Sequence, residues 1–241
     1  MTGGFIHRIF WTALIAGGFA GLVLAGIQQF TIVPMILEAE TYETGGSDHS
    51  HGHDGEPGEG HADHEAWGPE EGLERSLFTF LSTMAVGIGF ALLLVACYAI
   101  RAVTIKSRVH WRWGMLWGLG GFAAFHLAPA LGMPPELPGA AAAELGERQT
   151  WWLLTVALTA GGLLCLGLVP GVSRWLGLVL VVLPHLAGAP QPENSGGLAP
   201  AELETAFIYM SLFTNAVFWV VLGSVTAYLY DRLGNDEAVP A

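Results

Sequence analysis

The densest chemistry in the sequence lies between Glu38 and Arg75. There the run DHSHGHD places His49, His51 and His53 at alternate positions between Asp48 and Asp54, and His61 and His64 follow beside Asp63 and Glu65. These are five of the nine histidines, within sixteen residues, and the same stretch holds twelve of the twenty-one acids against a single base, Arg75. Neutral imidazole ligates zinc, copper, nickel and cobalt, and carboxylates supplement it. Gly52, Gly55, Gly58 and Gly60 interrupt the run, so the ligands ride on a chain too pliable to impose one geometry. Such a segment suits capture and hand-over of a divalent metal. The competing reading is a solvated acidic linker, against which the histidine density argues.

Two further histidines sit in apolar surroundings. His126 lies in FAAFHLAPALG near Pro129, and His185 follows Pro184. An ionisable residue at membrane depth is a functional candidate by default, although a histidine bonded to neighbouring backbone is an equally good reading. Glu38 and Glu40, leaving the first apolar segment, and Glu136, leaving the third, would form an acidic vestibule that concentrates cations. Arg75 and Arg148 stand at the same depth, ready to pair with those acids. Asn215, Gln28 and Gln29 read as groups for interhelical hydrogen bonds. Met35 and Met133, and the two cysteines Cys97 and Cys165, read as packing residues.

The elements that must position these groups are membrane-length. The chain has 241 residues, 52% hydrophobic and only 12% charged, with a mean hydropathy of +0.49; a soluble domain carries roughly twice that charged fraction. A helix needs about 20 apolar residues to cross a hydrocarbon core. Such segments occur at Ile9–Thr31, Leu77–Ile100, Trp113–Met133, Thr150–Val169, Trp175–Ala189 and Ala206–Tyr230. The fifth is short and carries Pro184, so it is either a tilted span or a re-entrant piece with a broken helix. The expected fold is therefore all-α: a polytopic membrane helix bundle of six spans, alternatively five. Residues 1–241 form a single membrane domain, with the 38–75 loop inserted between the first two helices. The first segment is too long for a signal-peptide core and is expected to be retained.

Seven of the nine bases (Arg8, Arg101, Lys106, Arg108, Arg112, Arg174 and Arg232) fall on one side of a six-span arrangement, and all acids but Asp231, Asp236 and Glu237 fall on the other. The basic side is then cytoplasmic with both termini, and the histidine-rich loop lies outside. Trp67, Trp111, Trp113, Trp151, Trp152 and Trp175 read as an interfacial belt. Gly17–Gly21 and Gly114–Gly118 have the spacing of close helix contacts. Recurring proline-bearing helix ends, and helix starts such as GLERSLFTF and LGERQTWWL, suggest three parallel helix-hairpin repeats.

Several classes are excluded. There is no phosphate-cradling GxxxxGK motif, no HExxH and no nucleophile elbow, so no enzyme is expected. No basic patch exists to neutralise a nucleic acid. The series QQFTIVPMILEAETYE, the histidine-rich loop, WGPEEGLER, WGLGGFAAFHLAPALGMPPELPG, ERQTWW and LPHLAGAPQPE resembles the CbtA family, the probable cobalt transporter subunit. The resemblance implies a bacterial inner-membrane protein of five or six spans linked to cobalamin biosynthesis. It also implies a small single-span, histidine-rich partner subunit of the CbtB type. The expected activity is uptake of a divalent metal, cobalt first and nickel or zinc next, carried as substrate with no resident cofactor. A metal-sensing accessory protein and an efflux protein are the alternatives.

Overall fold

A computed structural model of the protein describes residues 2–47, 72–105, 110–192 and 196–236. Among them there is no strand, and one isolated antiparallel bridge joins Ala140 to Gly197. In chain order the helices are α1 (Thr2–Ser47), α2 (Leu73–Ile105) and α3 (Trp111–Phe122), which continues through a π-helical turn (Ala123–Leu127) into α4 (Ala128–Ala130). Next come α5 (Leu145–Leu168), a 3-10 turn (Val172–Trp175) with α6 (Leu176–Ala187), and α7 (Ala201–Asp236). Among the described residues four helices are long and apolar enough to cross a membrane: α1, α2, α5 and α7. The path α3–π–α4 and the Val172–Ala187 piece are shorter or interrupted.

The first helix is much longer than its apolar core. Its 46 residues extend roughly 70 Å at 1.5 Å per residue, more than twice a hydrocarbon core of about 30 Å. Glu38 and Glu40 are thus on α1, not in a loop, and the stretch expected to be a loop from Glu38 to Arg75 is helical at both ends. The reason is tertiary. Beyond the apolar core, Ala39 is buried with Ile32 against Leu137 and Phe207, so the helix is still being packed where its hydropathy has fallen.

Small residues set the helix pairs. In lipid the association of helices rests on close packing, because tails are as apolar as the side chains. The face Ala13, Ala16, Gly17, Ala20 and Gly21 of α1 is buried, and a Cβ added at Gly21 would lie 2.6 Å from Met84 Cα of α2. Gly17 abuts Ile88 in the same seam. Gly114 and Gly118 of α3 meet Gly223 and the Trp219 carbonyl of α7. Both glycine pairs singled out in the sequence are therefore true contacts; a third, Gly162 of α5 against Gly177 of α6, was not foreseen. The main pairings are α1 with α2 and α7, α3 with α7, and α5 with α6.

The two ends of the bundle are chemically opposite. At one end the Arg8 Nε donates to the Tyr230 carbonyl at 2.7 Å, tying the start of α1 to the end of α7. At the same end Arg101, Arg112 and Arg174 lie 5.8, 5.4 and 5.8 Å from the rings of Trp113, Trp111 and Trp175. The other end carries Glu40, Glu136, Glu144, Glu147 and Glu204. Between the ends the outer surface is apolar, as lipid requires: Phe30 is 85% exposed and Phe213 61%.

Candidate functional site

The acidic end is closed by irregular stretches of chain at Leu131 to Glu144, at 188 to 192 and at 196 to 200. They are stitched by Ala141 N–H to the Gly196 carbonyl at 3.3 Å and Leu198 N–H to the Gly139 carbonyl at 3.4 Å. Gly139, Gly188 and Gly196 have positive φ, which only glycine tolerates cheaply. Under this cap is a pocket of about 230 Å³ whose lining includes Met133, Glu136, Arg148, Gln191 and Glu204. Glu136 accepts from Arg148 at 2.6 Å with both side chains about 30% exposed. Glu40 likewise accepts from Arg75 at 2.9 Å, which links the end of α1 to the start of α2. Two of the three expected vestibule acids are thus ion-paired with the two arginines of this end; Glu38 is exposed on α1. Glu144 caps α5, and the Gly146 and Glu147 N–H groups hold its carboxyl below the usual carboxylate range.

His126 occupies the π-helical turn. The Ala128 N–H bonds back to Ala123, five residues away, and Pro129 offers no N–H to the Phe125 carbonyl one turn earlier. A π-turn is rare and frequently marks a functional position. The ring of His126 stacks on Phe122 at 6.2 Å and meets the edge of Trp219 at 6.3 Å. Its Nε2 is buried with no hydrogen-bond partner among the described residues. Trp219, 1% exposed on α7, is the centre of this aromatic nest with Phe90, Phe125 and Phe218. Trp219 was missed in the sequence. Its signal was position: a tryptophan in mid-span, far from an interface, is unlike the belt residues around it.

His185 lies on α6, which runs through Pro184 unbroken to Ala187, so the expected break is absent. Its Nε2 is also buried with no partner among the described residues. Trp151 of α5 faces it at 6.0 Å and, through its indole N–H, holds the Pro184 carbonyl at 3.3 Å. Trp151 is therefore buried inside the bundle and not part of a lipid-facing belt. Below Trp151 on the same face, Thr155 and Thr159 are buried with unpartnered hydroxyls. Above it, Gly132 packs against the Trp151 ring, where an added Cβ would lie 2.6 Å away. Gly132 also lines the acidic pocket, so the pocket floor rests on the residue that covers His185.

Asn215, expected to bond across helices, instead donates to the Ser211 carbonyl of its own α7 at 2.9 Å. Cys97 and Cys165 are both free thiols. His49, His51, His53, His61 and His64 lie outside the described residues. Among the described residues no group of three or more His, Cys, Asp or Glu could hold a metal ion.

Residues 6–231 match the family described as probable cobalt transporter subunit (CbtA). The chain belongs to the CbtA family. No curated protein and no solved structure matches it. A CbtA chain with four apolar helices of spanning length among its described residues is a membrane protein, and its family is described as a probable cobalt transporter subunit.

Proposed function

We propose that this CbtA chain carries a divalent transition metal, cobalt above nickel or zinc, inward across the bacterial inner membrane in support of cobalamin synthesis. Six spans put both termini and the basic end in the cytoplasm, in keeping with the bias of Lys and Arg. The histidine-rich loop captures the ion outside, and a small single-span, histidine-rich subunit of the CbtB type completes the transporter. The ion enters past Glu38, Glu40 and Glu136, with Glu204 added to that acidic set. It then descends past His185 and His126, each offering one imidazole at a time.

The observation that carries this reading is the buried, unpartnered Nε2 of His126 in a π-turn. Leaving such an atom unsatisfied costs about 1–3 kcal/mol, a cost retained where the atom has work to do. The absence of a three-ligand cluster among the described residues accords with passage, since a tight site would hold the ion. Cellular cobalt measured with and without the chain tests the direction: accumulation rises for uptake. An unchanged level points to a sensor, a lowered one to efflux, and either overturns the proposal.

A further inference from the structure

At the basic end a cleft of about 340 Å³ runs between α2 and α5, floored by α3 and Trp219. Its walls are apolar, with Leu93, Leu94, Leu116, Leu163 and Leu164 among them, and Arg101 and Trp113 stand at its mouth. Arg101 Nε is buried and has no hydrogen-bond partner among the described residues, and no ion pair to Arg101 occurs among them either. A guanidinium held at the mouth of an apolar slot, beside an interfacial tryptophan 5.8 Å away, calls for a ligand with an anionic head and an apolar tail.

We propose that this cleft binds one anionic phospholipid, its phosphate on Arg101 and one acyl chain lying in the cleft toward Phe125. The apolar lining and the one guanidinium, unpartnered among the described residues, decide the occupant. The lining from Trp113 of α3 to Phe125 of the π-turn spans roughly 18 Å at 1.5 Å per residue. That length matches an extended run of on the order of ten methylenes, one acyl chain's worth. A transmembrane helix about 10 Å wide would enter the cleft with side chains only, and an apolar side chain there would leave the Arg101 guanidinium without a partner. The phosphate also satisfies a buried donor, since guanidinium suits phosphate in a bidentate pair.

The test is native mass spectrometry of the full-length protein titrated with phosphatidylglycerol and phosphatidylcholine of matched chains. One phosphatidylglycerol per chain is expected, held about tenfold more tightly than phosphatidylcholine, whose phosphate is equally anionic but carries a choline cation that the Arg101 guanidinium repels. Arg101→Lys keeps the preference and Arg101→Gln abolishes it. Gly120 lines the cleft, and a Cβ added there meets nothing within 4 Å, so Gly120→Leu fills the slot without disturbing a helix seam. It should lose both lipids while melting as the parent does; Gly167→Leu, equally open, serves as the second plug. Equal binding of the two lipids by the parent overturns the proposal, as does an intact preference in Arg101→Gln or unchanged binding in the plugged variants. A parent dimer that Gly120→Leu dissociates also overturns it, because a second copy would then occupy the cleft.

Discussion

The indole N–H of Trp151 donates to the Pro184 carbonyl at 3.3 Å, and the same ring meets His185 edge-on at 6.0 Å. One side chain on α5 therefore satisfies a carbonyl in the last turn of α6, where intrahelical donors have run out, and orients the adjacent imidazole. Trp151→Phe should keep the ring contact but orphan the carbonyl, at a cost of about 1–3 kcal/mol. Thermal unfolding in detergent reads this as a lowered midpoint. A variant that melts with the parent would show that the bond contributes nothing.

His126 should trade stability against transport. Its Nε2 is buried without a partner, so His126→Leu removes an unsatisfied atom and should melt at or above the parent temperature. The same variant should fail to accumulate cobalt even at saturating external metal. Normal transport by His126→Leu would make His126 a packing residue and move the route to Glu136 and His185 alone.

The glycine seams should be strict and local. Gly118 abuts the Trp219 carbonyl of α7, whereas Gly89 of α2 has nothing within 4 Å of an added Cβ. Gly118→Leu forces α3 from α7 and should cost about 1–3 kcal/mol or more; Gly89→Leu should be near neutral. Similar melting of the two variants would contradict the packing.

The loop histidines should act at low metal and be dispensable at high metal. A peptide spanning Glu38 to Arg75 should bind cobalt, nickel and zinc at pH 7.5 and release them by pH 5. Imidazole must be neutral to ligate, and protons displace the metal as pH falls through its unperturbed value of about 6.5. Calorimetry across that range decides it, and pH-independent affinity would assign the binding to carboxylates. Deleting the five histidines should weaken cobalt accumulation at low external cobalt only.

Much of the fold was written locally. Apolar length marks helices, because no water in the bilayer can satisfy an exposed backbone. The bases and acids sorted Arg8, Arg101, Arg112, Arg174 and Arg232 from Glu40, Glu136 and Glu204, and the two ends of the bundle are so divided. The Gly17–Gly21 and Gly114–Gly118 seams were legible, since a missing side chain is the only way for two backbones to approach so closely.

Partner choice was not written locally. A lipid-facing apolar face and a buried one look alike in a sequence, so nothing in α3 announced that its glycines would meet Gly223, more than a hundred residues on. The extension of α1 to Ser47 rests on Leu137 and Phe207 covering Ala39. The π-turn at His126 rests on the nest around Trp219 as much as on Pro129. Trp151 read as an interfacial anchor because tryptophan near a span end usually is one; only the approach of α6 turned it into the donor for Pro184. Residue type and spacing therefore named the imidazoles, and the packing of α5, α6 and α7 around them decided that His126 and His185 keep a nitrogen with no partner.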